Sequence, residues 1–440
     1  MKKLQLSKAT RTVYTILRQI ATLIPREFVK DAAEVNRVKW RTFDPWSHLL
    51  TLVIVQLSRQ ESLNGICDVA RALAYEWGRA GLELPHRNTL SNANAKRDPK
   101  MAEDVFWRLL AHFKAIDPGF CSEQYSGYLS RIKNHGIFLL DSSTIQLTLN
   151  CFDWARHRRM KAAAKLHMTM ALSSRLPSFA IVEDAAHHDS TRAAACTAQL
   201  GDGDILVADR AYLDFRFFDD LSVRGVFFVV RKKSNMLFDV VKRLQRPRKG
   251  NLKRHATQIL SDELVRPANK ATAAKYAANG GVLRRVTALV EIRGEMKKIV
   301  FLTNNLEWSA RTIAELYRAR WGIETFFKEL KQTCQIHDFI GYSENAVKWQ
   351  VWAGLIAHLL LRYIRHLAKW EHSFSRLSGV IRGSLWLKKR LLSLLDLYGT
   401  AGAVIIPRHR VKSPYFQPLL NFANAPNGTA DAEMPRNAVS

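Results

Sequence analysis

Four residues at fixed intervals carry the clearest chemical signal in the chain: Tyr317, Arg320, Glu324 and Lys331. At about 100° per residue on a helix, these four and Lys328 share one arc of roughly 80°. Leu316, Ala319, Ile323, Phe326, Phe327 and Leu330 fill the neighbouring arc. The apolar stripe predicts packing on a sheet, with a line of Tyr, Arg, Glu and Lys beside it. Taken alone, that line reads first as a solvated face with ordinary ion pairs, Arg320 with Glu324 and Glu324 with Lys328. Two aspartates shift the balance. The apolar runs 136–140 and 205–208 each lead into one, Asp141 and Asp209. Buried strands of that composition would set both carboxylates at one edge of a sheet. If the helix crosses that edge, Glu324 adds a third, and the three repel unless cations neutralise them. All-oxygen ligands suit two Mg²⁺ or Mn²⁺ ions. A pair of such ions, about 3.5–4 Å apart, clamps an in-line displacement at phosphorus. Arg320 and Lys331 would then hold flanking phosphates, with Tyr317 hydrogen-bonded to one.

The spacing Tyr317-x2-Arg320-x3-Glu324-x6-Lys331 resembles the Y-(2)-R-(3)-E-(6)-K signature of the IS-four family of bacterial insertion-sequence transposases. Asp141-Ser-Ser-Thr144 is similar to that family's first-aspartate motif, and Asp209-Arg210-Ala211-Tyr212 to its D-R-G-Y motif. Thr303-Asn304-Asn305 precedes the signature helix as in the family, and the likeness spans about residues 136–345. Ala211 stands where the family has Gly, which predicts a slightly different backbone turn after Asp209. The resemblance implies that Asp141, Asp209 and Glu324 form a catalytic DDE triad and bind two Mg²⁺ (or Mn²⁺) ions. It implies an α/β fold, a ribonuclease-H-like catalytic domain with a mostly β insertion, flanked by helical N- and C-terminal domains. Tyr317, Arg320, Lys331, Lys328 and Arg210 would contact DNA.

The implied reaction opens with water attacking a phosphodiester at the element end, which frees a 3′-OH. That hydroxyl closes a hairpin on the opposite strand, and the reopened end is joined to target DNA. The implied partners are double-stranded DNA, as terminal inverted repeats and as target, and a second copy of the chain in a homodimer on that DNA. The implied location is the bacterial cytoplasm, at the nucleoid. Two rival readings stay open: a metal-dependent nuclease without strand transfer, and a transposase-derived DNA-binding protein that no longer cuts. Some family members hold a flipped base with an aromatic residue of the insertion. Trp308 lies nearest, but no motif ties it to that role.

Other elements must position these groups. Residues 1–130 read as a helical, DNA-binding domain, with an amphipathic stripe at Ile16, Ile20, Leu23 and Ile24 and an apolar helix after Pro45. The polar helix from Arg87 to Arg97, with Asn88 or Thr89 as its cap, completes a helix-turn-helix outline. In that outline Arg87, Asn92, Lys96 and Arg97 face DNA, although plain helical packing explains the stretch equally well. From about residue 136 three strands, a helix, a strand, a helix and a strand predict an α/β layer. The catalytic domain is expected at 131–232 and 301–345, and the β insertion at 233–300. Ten Lys/Arg against only Asp239 in the run Arg231–His255 mark a basic face for phosphate contact.

Ser309 is expected to cap one long helix from about Ala310 to Thr333. Beyond it lie a C-terminal helical region at 346–422 and a disordered tail at 423–440. The aromatics Trp349, Trp352, Tyr363, Trp370 and Trp386 read as core, with an exposed part available for dimerisation. In His187-His188-Asp189, helix capping by Asp189 or Ser190 is the simpler account than a metal site. Lys165 and His167 fall on a strand near the presumed site.

Composition agrees with a nucleic-acid partner. The 440 residues carry a net charge of +28, with 47% hydrophobic and 24% charged residues, which excludes a mostly disordered chain and favours an acidic polymer as ligand. Five scattered cysteines without a CxxC pair predict neither a disulfide framework nor a thiolate zinc site. The most apolar helical stretch, 351–368, is interrupted by His358, Arg362, Arg365 and His366, so no membrane span is expected.

Overall fold

The computed structural model describes residues 14–396, apart from 122–124, 126, 148–150, 152–153, 158–160, 187, 246–256, 293–294 and 335–338. The expected tail at 423–440, the C-terminal region beyond 396, the 246–255 part of the basic run and His187 lie outside the described residues.

Seven helices come first: α1 (Ile16–Ala21), α2 (Arg26–Val35), α3 (Pro45–Ser58), α4 (Leu63–Ala72), α5 (Ala74–Arg79), α6 (Arg87–Lys96) and α7 (Lys100–Ile116). Asp44 starts α3 by accepting from the Ser47 amide at 2.6 Å, with Pro45 at the first helical position. Ser62 caps α4 in the same way. Neither Asn88 nor Thr89 caps α6. That helix begins at Arg87, directly after His86, so both lie inside its first turn.

The sheet contains β1 (Ile137–Leu147), β2 (Arg156–His157), β3 (Lys161–Ala171), β4 (Leu176–Asp184), β5 (Ile205–Ala208), β6 (Phe227–Arg231), β7 (Phe238–Gln245), β8 (Gln258–Pro267), β9 (Leu283–Ile292) and β10 (Glu295–Thr303). Its order is β2-β3-β1-β5-β6-β10-β9-β8-β7, with β4 also paired to β3. β1, β5 and β6 are parallel to one another, and the remaining ladders are antiparallel. Strands β7 to β10 do not stand apart: β10 pairs with β6 from Val229↔Thr303 to Arg231↔Phe301, which extends the central sheet. β1 also runs past its expected end at Asp141. β5 stops at Ala208, but β3 keeps pairing with β1 as far as Leu147↔Ala162.

Each face of this sheet has its own cover. Leu139, Val207, Val229 and Phe301 point into a core shared with α11 (Ala310–Ala319), α12 (Trp321–Thr333), α13 (Glu344–Leu367), α14 (Phe374–Ser384), α15 (Leu391–Asp396) and the N-terminal helices. Leu140, Leu206, Ala208, Phe228, Val230 and Leu302 point the other way, under α8 (Asp189–Cys196) and α9 (Phe215–Val223). α13 is buried almost throughout and packs on α3, α6 and α7. Trp349, Trp352, Tyr363 and Trp370 are core residues, and the partly buried Trp386 stacks on Trp77 at 6.1 Å. No described helix is long and apolar enough to cross a membrane.

The expected single helix from Ala310 to Thr333 is two helices, joined at Arg320. Ser309 caps the first through the Thr312 amide, as the sequence predicts. At the joint, the Arg320 amide donates to the Tyr317 carbonyl and the Ile323 amide to the Arg320 carbonyl, both at 3.1 Å. Bonds of this i→i+3 kind tighten the chain at the joint.

Candidate active site

Strand register places the first two carboxylates. Leu140 pairs with Ala208, and Ala208 with Val230, at the ends of the parallel ladders. One residue further on, Asp141, Asp209 and Arg231 stand in a row. Side chains alternate along a strand, so Asp141 and Asp209 share the face of Leu139 and Val207, which α11 and α12 cover.

The helix joint brings the remaining groups to the same place. Tyr317, in the last turn of α11, donates its hydroxyl to Asp209 Oδ1 at 3.1 Å. Arg320 donates from Nη1 to Asp141 Oδ2 at 3.0 Å, and from Nη2 to Glu324 Oε1. A single guanidinium therefore bridges a carboxylate on the sheet and one on the helix, and a phenol holds the third. Lys331 lies further along α12, where its ammonium donates to the Thr144 carbonyl at 2.8 Å and ties the helix to β1. Lys328 and Arg210 are exposed. Ala211 sits in the short 3-10 turn Arg210–Tyr212 without a positive φ, so its methyl group is accommodated.

Crowding is visible in the protonation equilibria. Burial pushes the Asp141 carboxyl up to about 6, and the charges of Asp209 and Glu324 add to the shift. Arg320 and the Ser142 amide oppose it. Burial likewise pushes the Tyr317 phenol up to about 12. Burial disfavours the charge on Arg320, yet Tyr317, Asp141, Glu324 and Asp209 together hold its pKa above the usual arginine range. The Lys331 ammonium is shifted down by burial. Among the described residues, no three Asp, Glu, His or Cys side chains converge as a ready-made metal cluster. Between Asp141 and Glu324 the structure has Arg320 instead.

Several expectations are corrected by the strand alternation. Ser142 points to the opposite face from Asp141, where its hydroxyl donates to Asp189 Oδ1 at 2.7 Å. Lys165 pairs with that same carboxylate oxygen at 3.2 Å, and His167 lies between Glu183 at 3.3 Å and Asp189 at 3.7 Å. Lys165 and His167 are therefore separated by the sheet from Glu324 and Arg320. Asp189 does not cap α8, and neither does Ser190. His188 precedes the helix without a side-chain bond, while the Asp189 carboxylate is drawn to Lys165 and Ser142. Burial lowers the His167 pKa against the pull of Asp189 and Glu183. Sequence patterns alone do not bring Arg231 to the carboxylates or join Ser142, Asp189, Lys165 and His167 on the opposite face. The alternation of β1 alone could have assigned Asp141 and Ser142 to opposite faces.

Two further corrections concern the flanks. Arg97 does not face outward from α6. It is 9% exposed and donates to the Phe43 and Asp44 carbonyls, the latter at 3.4 Å. Arg87, Asn92 and Lys96 are exposed. The Thr303-Asn-Asn motif builds the turn that launches α11. Asn304 accepts from the Phe228 amide at 2.9 Å and donates to the Val226 carbonyl at 2.9 Å, and Asn305 accepts from the Trp308 amide at 2.8 Å. Trp308 packs on Phe227 at 5.0 Å and on His135 at 5.7 Å.

Known proteins similar to this chain include transposases. A protein of Sinorhizobium fredii (strain NBRC 101917 / NGR234) named as a transposase, y4zB, is 26% identical over 311 residues, covering 70% of this chain and 80% of that protein. A protein of Geobacillus stearothermophilus, named as the probable transposase for insertion sequence element IS5377, is 27% identical over 296 residues, covering 67% of this chain and 71% of that protein. Among solved structures, a piggyBac transposase synaptic complex with hairpin DNA aligns with a TM-score of 0.36 and 10% identity, covering 88% of this chain and 81% of that one. A model described as a domain of unknown function matches residues 12–76. The model of the transposase DDE domain matches residues 133–360, more than half of the chain, and the protein belongs to the family of DDE transposases.

Proposed function

We propose that this chain is the transposase of a bacterial insertion sequence, which cleaves the ends of its element and joins them to target DNA. One observation carries the reading: Asp141 and Asp209 lie side by side where β1 and β5 part, and Arg320 brings Glu324 to them. The order β4-β3-β1-β5-β6, three antiparallel strands continued by two parallel ones, supports a ribonuclease-H-like catalytic domain. The donors Asp141, Asp209 and Glu324 are oxygen only, which fits Mg²⁺ or Mn²⁺. Two such ions held there would activate the attacking oxygen and steady the leaving one.

The chain's own side chains do the positioning. Arg320 fixes the spacing of Asp141 and Glu324 and is the donor best placed to meet a phosphate oxygen. Tyr317 stays protonated at neutral pH and orients Asp209 through its hydroxyl. Lys328, Lys331 and Arg210 line the approach of the DNA backbone. Two copies of the chain hold two element ends in one complex, at the nucleoid in the cytoplasm.

The test is a duplex carrying the element's terminal repeat, incubated with and without Mg²⁺ beside the Glu324→Gln variant. The expected result is Mg²⁺-dependent nicking that leaves a 3′-OH at the repeat boundary, followed by joining to a target plasmid, with neither product from the variant. Undiminished cutting by Glu324→Gln, or DNA binding without cutting in either metal, would overturn the proposal. Nicking that never leads to joined product would reduce it to a nuclease.

A further inference from the structure

Two residues just beyond the aspartates send their side chains to the back of the sheet, under α8. They are Ser142, next after Asp141, and Tyr212, in the short turn that follows Asp209. Both stay bonded to the aspartates through the main chain. The Ser142 amide donates to Asp141 Oδ1 at 2.8 Å, and the Tyr212 amide donates to the Asp209 carbonyl at 3.1 Å. Behind the sheet both meet Asp189, the first residue of α8. Its Oδ1 accepts from the Ser142 hydroxyl at 2.7 Å and lies 3.2 Å from the Lys165 ammonium. Tyr212 is fully buried. Burial first, and then the charges of Asp189 and Asp141, push its phenol above the ordinary range, with nearby Ser142 opposing them. Among the described residues no hydrogen bond of ordinary geometry closes on that hydroxyl.

Asp189 is itself held from several sides. Lys165 and His167 reach it from β3, where His167 stands directly opposite Ser142 in the ladder. The far end of α8 is pinned by Thr169, whose hydroxyl donates to the Cys196 carbonyl at 2.6 Å. Midway along the helix, Arg192 takes both oxygens of Glu183 on β4, at 2.9 and 2.8 Å. Apolar side chains would hold a helix on a sheet without desolvating any charge. Here Lys165, Glu183, Asp189 and Arg192 form ion pairs beneath it instead. Such a network adds little net stability, but once its members are paired it is strict about geometry. Its place is directly behind the two aspartates.

We propose that Asp189 and Ser142 are positioning residues, which set the separation and orientation of Asp141 and Asp209 from the far face of the sheet. The inference rests on the transposase reading for what those carboxylates do. Ser142 is the direct link, because its two hydrogen bonds run in series from Asp189 through the hydroxyl and the amide to Asp141 Oδ1. It acts where β1 needs support, since β5 has stopped at Ala208 and only β3 still pairs with β1. Tyr212 is the second link: its ring fills the space beneath α8, while its amide holds the Asp209 main chain. A metal ligand is only as well placed as the groups behind it. Loss of such a supporting group typically costs about 10–100-fold in metal affinity or activity.

The experiment follows Mn²⁺ binding to the full-length protein by electron paramagnetic resonance, beside Mg²⁺-dependent cleavage of the terminal-repeat duplex. Ser142→Ala, Ser142→Thr and Asp189→Asn are compared, Glu324→Gln marks binding at the carboxylates, and melting curves check that each is folded. Ser142→Ala and Asp189→Asn should each weaken Mn²⁺ binding and lower kcat by about tenfold or more, with KM for the duplex unchanged. Ser142→Thr keeps the hydroxyl and should restore both. The combined Ser142→Ala/Asp189→Asn variant should lose little more than either alone, because both changes break the same bond. If Asp189→Asn does not fold, the Ala and Thr variants at position 142 still decide the question. Wild-type Mn²⁺ affinity and kcat in a folded Ser142→Ala overturn the proposal, and so does a loss that Ser142→Thr leaves unrepaired. Weakened Mn²⁺ binding by Ser142→Ala in a protein that never cuts DNA would keep the positioning role and reject the transposase reading. Cutting and joining that ignore Ser142 and Asp189 would do the reverse.

Discussion

Replacing Asp141 with Asn should abolish DNA cleavage and, in the absence of metal, make the protein more stable at neutral pH. The carboxyl is pushed from its ordinary 3.8 to about 6, with burial as the main cause. Each unit is worth about 1.36 kcal/mol, so holding the charge in the folded state costs about 3 kcal/mol. The sign follows from proton binding. The folded protein holds this proton more tightly than the unfolded chain, so stability falls as pH rises between about 4 and about 6, and is flat above that. Asparagine imitates the protonated carboxyl in size and polarity. Arg320 retains Glu324 as a partner, so its guanidinium is not left unpaired.

The variant should therefore match the wild type at about pH 4 and exceed it by up to about 3 kcal/mol at about pH 7.5. Urea unfolding in EDTA at the two pH values measures this difference. Adding Mg²⁺ should reverse the order, since a ligand at roughly 1,000 times its Kd stabilises the form that binds it by about 4.1 kcal/mol. Equal stability at both pH values, or an Asn variant weaker at neutral pH, would refute the claim that the site stores an electrostatic cost.

Two other substitutions probe how the site is supported. Asp262 and Arg284 form a buried bidentate pair at 2.8 and 2.7 Å, and removing one partner strands the other. Asp262→Asn should cost about 3–5 kcal/mol in urea unfolding, and a loss under about 1 kcal/mol would show that the pair is solvated. Tyr317→Phe removes only the hydroxyl that meets Asp209. It should cost stability by no more than about 1.5 kcal/mol. Cleavage at saturating DNA should fall about tenfold, the equivalent of about 1.4 kcal/mol. Unchanged cleavage would remove Tyr317 from the positioning of Asp209.

What is legible in the sequence is whatever a local pattern can encode. The runs 137–140 and 205–208 are continuously apolar because both faces of these central parallel strands are covered, and the structure makes them neighbours. Ser309 is legible as a cap because its partner, the Thr312 amide, is three residues away. What is hidden depends on partners distant in the chain. The extension of β1 comes from β3, and the break at Arg320 comes where Asp141, 179 residues earlier in the chain, draws the guanidinium. Arg97 looks like a DNA-facing cation until its distant acceptors, the carbonyls of Phe43 and Asp44, are seen. Asp189 has the position of a cap, but Lys165 and Ser142 take its carboxylate from across the sheet face.

The crowding at Asp141 depends in turn on strands β7 to β10, which continue the sheet instead of hanging from it. Three carboxylates held by one guanidinium and one phenol will spread apart unless the elements that carry them cannot move. β1 and β5 are held by their own ladder, but Tyr317, Arg320 and Glu324 depend on how α11 leaves β10. That exit is fixed from both sides. Asn304 ties the end of β10 to the start of β6, and Arg284 of β9, anchored by Asp262 of β8, donates to the Trp308 carbonyl at 2.5 Å just before Ser309 begins the helix. Rigidity thus passes from β8 through β9 into the first turn of α11, and from there to the phenol on Asp209 and the guanidinium on Asp141. A perturbation in β8 that leaves the carboxylates untouched should still loosen the Tyr317–Asp209 contact. The effects of Asp262→Asn and Tyr317→Phe on cleavage should then be less than additive, since both would act through the same displacement.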